Sequence, residues 1–530
     1  MLSLLLLSVG LPVVTAVLLL LFRGSSSAET ARWIALGGSI ATALVAGAMF
    51  SEYQKLPAPT HWVDAPVQPR FEYERPWLST NLVQEGGLSL TMHLGLDGIS
   101  VAMILLTAIL GVSAVLISWE SVQYRSTEFY AALLALEAGA IGVFCAFDLI
   151  LFYAFFEFTL IPLFFLIIIW GGAGRRGAAM TFFLYTFCGS LFTLLGLITL
   201  ALTAAGAGVT APTSIPVLAD WLQGNPLSPQ LQQALFLAIA VGFLVKVPVV
   251  PLHSWLPATY AEAPTAGTVF ASGVLAKLGV YGFLRLCIPM FPDACLKIGV
   301  PLIGTLAVVG IIYGSLCALS QRDMKKLVAY SSVAHLGFCL LGVFALNAEG
   351  LAGGVLQMVN HGLSTGALFL IVAMVTDRYQ TREIDQYGGL ASKLPLLTCC
   401  MLFISMASIG LPGLNGFTGE FMSLLGMYAR HPLYAVLGTT GVILGAWYLL
   451  TLIQTAFFGS LKEPKVRSGT VADIQPREVF ALAPLVVLCL GIGVYPKPLL
   501  DVIRPDVEAV AALYSTEAPT KPVALVEIHQ

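Results

Sequence analysis

Leu235-Phe236-Leu237-Ala238-Ile239-Ala240-Val241-Gly242-Phe243-Leu244-Val245-Lys246-Val247-Pro248 reads as a membrane-crossing helix that carries a charge at depth and then breaks. An apolar run of about 20 residues crosses a bilayer as a helix, and a charge near its middle costs roughly 2.5–3.5 kcal/mol even on the lenient insertion scale. A second such lysine interrupts Val269-Phe270-Ala271-Ser272-Gly273-Val274-Leu275-Ala276-Lys277-Leu278-Gly279-Val280-Tyr281. Charges in these places persist only where they are paired or used. The whole chain agrees with the membrane reading. Of 530 residues, 58% are hydrophobic and 10% charged, with a mean hydropathy of +0.88, against about 25% charged in a soluble domain. The fold expected is an all-α polytopic membrane protein.

A net charge of −3 offers no basic field for nucleic acid. The nine cysteines lie almost all in apolar runs, no Cys-x-x-Cys occurs, and adjacent Cys399-Cys400 is no metal-ligand spacing. That pattern argues against disulfides, zinc and iron–sulfur clusters. Phosphate-loop and zinc-protease motifs are missing, and Gly171-Gly172-Ala173-Gly174 reads as a turn at a helix end. No redox cofactor, metal or nucleotide is expected in the chain itself. The run from Leu2 to Phe22 lacks the basic flank of a signal peptide and is long for one, so it reads as the first span.

Fourteen spans are expected, near 2–22, 32–50, 98–119, 129–147, 149–170, 178–203, 231–258, 265–288, 297–319, 326–346, 351–376, 394–428, 432–458 and 477–497. The segment 51–95 reads as a long surface loop and the tail after 498 as polar and without a span. Placing the N-terminus outside puts fifteen of the 26 Lys and Arg on the cytoplasmic side, among them Arg23, Lys325, Lys465 and Arg467, and leaves nine, including Arg285 and Lys521, on the other. That bias favours both termini outside. Two spans are interrupted, the seventh at Lys246-Val247-Pro248-Val249-Val250-Pro251 and the twelfth at Gly410-Leu411-Pro412-Gly413. Each break lies beside a charge, and an offset of five spans reverses orientation. The pattern therefore predicts two inverted five-helix repeats, spans 4–8 and 9–13, with a transport site at the midplane. The parts expected are residues 1–128 (spans 1–3 and the long loop), 129–288 and 297–460 (the repeats), and 461–530 (span 14 and the tail).

The ionisable residues at depth are Glu137, Glu157, Lys246, Lys277, His335, His361 and Glu420. A lysine taken out of water holds its proton less firmly, a nearby carboxylate restores the hold, and histidine exchanges protons near neutrality. Such a set suits proton handling. Each member also has a structural reading. Glu157 and Lys246 would form a fixed ion pair, Lys277 would snorkel, the histidines would pack, and Glu137 would sit protonated at a helix contact. Asp97 and Asp148, at helix ends, read as caps. Alternation of acid, base and histidine over several spans favours the functional reading.

Several stretches resemble the antiporter-like membrane subunits of respiratory complex I, and among them the M-type chains. They are Leu94-Gly95-Leu96-Asp97-Gly98, Phe156-Glu157 with Leu160-Ile161-Pro162, Lys246-Val247-Pro248 with His253-Ser254-Trp255-Leu256-Pro257, Glu262-Ala263-Pro264-Thr265-Ala266-Gly267, Leu275-Ala276-Lys277, Tyr330-Ser331-Ser332-Val333-Ala334-His335, Gln357-Met358-Val359-Asn360-His361, and Leu411-Pro412-Gly413 through Gly419-Glu420-Phe421. Together they cover roughly residues 90–460. The resemblance implies a proton-translocating subunit of NADH:quinone oxidoreductase in the bacterial cytoplasmic membrane. It implies that Glu157 pairs with Lys246, that Lys277, His335 and His361 continue a hydrated axis, and that Glu420 closes it beside the breaks at Pro248 and Pro412. NADH, FMN, iron–sulfur clusters and quinone would belong to partner subunits, and L- and N-type chains would be the neighbours. Glu420 stands where L- and N-type chains tend to have lysine, and the chain ends soon after span 14 without the lateral helix of the L type. The family often has Asp where this chain has Ala258, which leaves that position without an inherited role.

Three readings compete. The first is the redox-driven pump subunit. The second is a D-type subunit of a multisubunit Na+/H+ antiporter, or the equivalent chain of a ferredoxin-fed photosynthetic or hydrogenase complex. The third is a membrane scaffold with no transport role.

Overall fold

The structure is a computed structural model that describes residues 1–22, 27–56, 66–78, 90–464 and 471–515. Arg23, Lys465, Arg467 and Lys521 of the charge bias lie outside the described residues. Among the described residues 13 helices are long and apolar enough to cross a membrane. The expected twelfth span is also present, as two half-helices, Pro395–Ile409 and Asn415–Arg430. The apolar patterning thus gives every span to within a few residues.

Burial sorts the spans into shells. Spans 8 (Thr265–Met290) and 11 (Ala348–Tyr379) are wholly enclosed by protein over their most apolar windows, whereas span 14 (Pro476–Val494) is only 28% buried. The two innermost helices are therefore those that carry Lys277 and His361. Span 7 runs as Pro229–Lys246, unwinds, and resumes as the short helix Trp255–Glu262. Trp255 bridges that break by donating its indole N–H to the Val245 carbonyl at 3.0 Å. The break in span 12 opens on Gly410, whose left-handed φ of 83° favours a residue without a β-carbon.

Local irregularity exceeds the two expected breaks. Span 5 divides at Thr159 into Leu149–Phe158 and Leu160–Trp170, and span 8 contains π-helical turns at Ala271–Leu275 and Phe283–Cys287. Pro162, three residues past Thr159, lies beside the first site and removes the donor that would meet the Phe158 carbonyl, and Gly273 and Gly282 lie in or next to the π turns. Asp97 and Asp148 do cap their helices, accepting from Ser100 N–H and from the N–H groups of Ile150 and Leu151.

Three segments depart from expectation. The supposed loop 51–95 holds an antiparallel hairpin, β1 (Phe71–Leu78) with β2 (Leu90–Leu96), because its short runs alternate apolar and polar residues with period two. A short helix, Ile215–Gly224, lies between spans 6 and 7. The tail is not featureless: Lys497–Ala512 is an amphipathic helix that buries Leu499, Val502, Ile503, Val507 and Val510. Its average polarity hid the helical period.

The tail helix seats directly on the start of span 3. A β-carbon on Gly98 would lie 1.8 Å from the Val502 carbonyl oxygen, and Gly98 N–H donates to Asp506 Oδ2 at 2.6 Å. Burial, reinforced by the Asp97 charge, pushes the Asp506 carboxyl well above its ordinary value. A raised acid holds its proton more tightly when docked. Its contribution is complete below the ordinary carboxylate range and is lost as pH rises through the raised value. Amide exchange across Lys497–Ala512, corrected for its intrinsic rate, should therefore quicken as pH rises, and Asp506→Asn should remove that dependence.

Candidate functional site

Lys277 anchors the site. It is fully buried, and its Nζ donates to the Ser272 carbonyl and, at 2.6 Å, to His361 Nδ1. The π turn just before it leaves backbone carbonyls to side-chain donors. Among the described residues no carboxylate is in ion-pairing contact with this ammonium. Because His361 Nδ1 accepts, the neutral ring carries its proton on Nε2, an atom buried without a partner among the described residues.

The His335 ring lies 5.6 Å from that of His361, centre to centre. His335 Nδ1 donates to Glu420 Oε1 at 2.8 Å, while its Nε2 accepts from Tyr448 OH at 3.3 Å. Gln357 Nε2 donates to the same Glu420 oxygen at 3.0 Å. One choice of tautomers satisfies all of these contacts; it gives a donor-to-acceptor step from Lys277 to His361 and another from His335 to Glu420, with the two rings adjacent but not hydrogen-bonded to each other. Glu420 stands two turns into the second half of span 12. The bare Cα of Gly410 lets it approach, since a β-carbon there would be 3.2 Å from Oε2.

Glu157 and Lys246 are arranged differently. Lys246 is the last residue of its half-helix, where the free carbonyls favour a cation. Its Nζ donates to the Phe156 carbonyl at 3.1 Å and to Thr159 Oγ1 at 3.2 Å, and sits 4.0 Å from the centre of the Phe156 ring. Glu157 is half-buried, with Oε1 unpartnered, within electrostatic reach of Lys246 but not in contact with it. The expected ion pair is not closed in this structure. The division of span 5 at Thr159 supplies the ammonium with a carbonyl and a hydroxyl instead. Beside Lys246, the rings of Phe152, Phe156, Phe243 and Phe283 pack in sequence with centres 5.4–6.2 Å apart.

Glu137 is not brought to the line. It is buried between spans 3 and 4, and a β-carbon on Gly111 would lie 2.6 Å from its Oε1. Pro248 and Pro412 fall in the unwound stretches. Sequence reading missed Gln357, Tyr448 and Thr159. Gln357 had a signal, since Gln357, Asn360, His361 and Ser364 mark one polar face of an otherwise apolar helix.

A second buried charge network was also missed. Arg285 was counted among the charges of the outer side, at the end of span 8, yet it is 3% exposed and ion-paired with Asp97. Its Nε donates to Tyr281 OH at 2.9 Å and its Nη2 to Ser100 Oγ at 3.1 Å. Removing one partner of a buried pair strands the other, at about 3–5 kcal/mol. Arg285→Met should lower the thermal stability of the assembled protein by that order, and adding Asp97→Asn should restore most of it. Differential scanning calorimetry of the purified variants measures both.

Comparison with known proteins agrees with this geometry. Residues 146–445 match the family described as NADH:quinone oxidoreductase/Mrp antiporter, transmembrane. The chain is 40% identical over 516 residues to NADH-quinone oxidoreductase subunit M of Rhodobacter capsulatus, covering 95% of each. It is 39% identical over 486 residues to NADH-ubiquinone oxidoreductase chain 4 of Prototheca wickerhamii, covering 92% of this chain and 90% of that one. Among solved structures, a chain of respiratory complex I from Thermus thermophilus with bound NADH superposes with a TM-score of 0.81 at 33% identity, over 96% of this chain and 100% of that one. On these grounds, and on its broken-helix architecture, the chain belongs to the NADH:quinone oxidoreductase/Mrp antiporter family of membrane proteins, with subunit M and chain 4 proteins as its relatives.

Proposed function

We propose that the chain is the proton-translocating M-type subunit in the membrane arm of an NADH:quinone oxidoreductase. Electron transfer through NADH, FMN, iron–sulfur clusters and quinone belongs to partner subunits, and L- and N-type antiporter-like chains flank this one. The observation that carries the reading is the line of buried groups from Lys277 and His361, on the two innermost helices, to His335 on span 10 and Glu420 on span 12. A proton leaving Lys277 Nζ enters His361 Nδ1, the proton on His361 Nε2 passes to His335 Nε2, and that on His335 Nδ1 passes to Glu420. Each ring ends in its other tautomer and must reset before the next passage.

Glu157 and Lys246 set the start of the cycle. Drawing the carboxylate toward the ammonium holds the Lys246 charge in place. Parting them, as in this structure, frees a positive charge to repel one on Lys277 and drive its proton forward. Spans 4–8 and 9–13 act as two inverted halves, with Lys246 and Glu420 at equivalent breaks. The protein is a multi-pass membrane protein; its seat in the bacterial cytoplasmic membrane rests on its likeness to bacterial subunit M proteins, and the outside placement of both termini on the bias of Lys and Arg. The family also includes antiporter subunits, so cation exchange without NADH is the rival activity.

Complexes carrying Lys246→Ala or Glu420→Gln, reconstituted into vesicles, should assemble and oxidise NADH but move fewer protons per NADH, with Lys246→Ala abolishing most of this chain's share. Proton uptake by a vesicle-trapped pH dye measures it. Normal pumping in an assembled Lys246→Ala complex would sink the role of Lys246. NADH-independent Na+/H+ exchange would favour the antiporter reading.

A further inference from the structure

The line through Lys277 needs a source of protons, and Lys246 is a poor one. Its Nζ is turned to span 5, donating to the Phe156 carbonyl and Thr159 Oγ1, and no hydrogen bond among the described residues joins it to Lys277. Another lysine is better connected. Lys325, at the start of span 10, is 9% exposed and turns its Nζ inward to donate to the Ala263 carbonyl at 2.6 Å. Thr268 Oγ1 donates to the Tyr260 carbonyl at 3.1 Å and also lies 3.4 Å from the Ala263 carbonyl, and Ser272 Oγ donates to the Thr268 carbonyl at 2.8 Å. The Ser272 carbonyl is the one that receives Lys277 Nζ. A Ser or Thr bonded back to a carbonyl four residues earlier is ordinary in a helix. A buried lysine at each end of such a row is not.

We infer that Lys325 loads Lys277 with protons along the row Ala263, Thr268 and Ser272, bypassing Glu157 and Lys246. The inference rests on the pump reading above, with Lys325 at the cytoplasmic end. Lys325 has the surroundings of a loading group. Asp323 on its own helix, Glu262 at the end of the resumed span 7, Arg382 after span 11 and Asp377 within span 11 all face it. The acids at the mouth gather protons from bulk water and hold the ammonium in its seat, while the Arg382 guanidinium, ion-paired with two of them, repels it. The ammonium gives up one proton to water held along the row of oxygens, and the neutral amine of Lys277 takes one up. Lys325 is then recharged from the cytoplasm, so charge and protons balance over the cycle. Under this arrangement Lys246 acts on Lys277 through its field and carries no proton itself.

The test is proton pumping per NADH oxidised by the intact complex in vesicles, for Lys325→Arg, Lys325→His, Thr268→Val and Lys277→Met. Arginine keeps the charge but does not release a proton. Lys325→Arg should therefore lose as much pumping as Lys277→Met, and the double variant should lose no more than either. Lys325→His should restore pumping with a pH profile displaced toward acid, which a purely structural role would not produce. If Lys277→Met is defective while Lys325→Arg pumps normally, the loading role is overturned and the pump reading stands. If Lys277→Met itself pumps normally, the pump reading fails and this inference with it. Should Lys325→Arg not assemble, Thr268→Val decides: reduced pumping at an unchanged NADH rate supports the route, and unchanged pumping overturns it.

Discussion

A buried ammonium with no carboxylate in contact among the described residues is the constraint around which the central helices are built. Lys277 is fully enclosed, and its partners are a carbonyl and an imidazole. A charge so placed is weakly compensated, so a change in nearby charge acts on it with little screening. The same weakness requires a rigid surround. Lys277 and His361 sit on the two spans most completely sheathed by other helices, and the contact between them is short. Moving the lysine toward the lipid-facing spans would leave its charge without either partner.

The broken helices answer a second demand of the bilayer, that every backbone polar group find a partner within the protein. Unwound backbone is tolerated here because neighbouring side chains complete it. The indole of Trp255 spans the first break. At the second, Asn360 Nδ2 donates to the Asn415 carbonyl at 2.6 Å and Asn415 Nδ2 to the Asn360 carbonyl at 3.2 Å, a reciprocal clasp between spans 11 and 12. That clasp holds the half-helix carrying Glu420 against the helix carrying His361. The two halves are thus left in different states. Glu420 is closed onto His335, while Glu157 stands off from Lys246.

Sequence by itself determined the membrane architecture and its chemistry. Long apolar runs have no stable alternative to transmembrane helices, and proline with glycine inside two of them dictated the breaks at Pro248 and Pro412. Lysines, histidines and acids at depth are conspicuous against apolar surroundings, so Lys246, Lys277, His335, His361 and Glu420 were legible one by one. What only the tertiary structure decided was who meets whom. A helix reveals which residues share its own face, but not which face of a distant helix comes opposite. Hence the order Lys277, His361, His335, Glu420, the isolation of Glu137 against Gly111, and the inward turn of Lys325 were not readable. Arg285 was misplaced for the same reason, its partner Asp97 lying five spans earlier in the chain. The opening between Glu157 and Lys246 was not readable either: Pro162 marks the division of span 5 at Thr159, but that the freed Phe156 carbonyl and the Thr159 hydroxyl meet the ammonium depends on how span 7 packs against span 5.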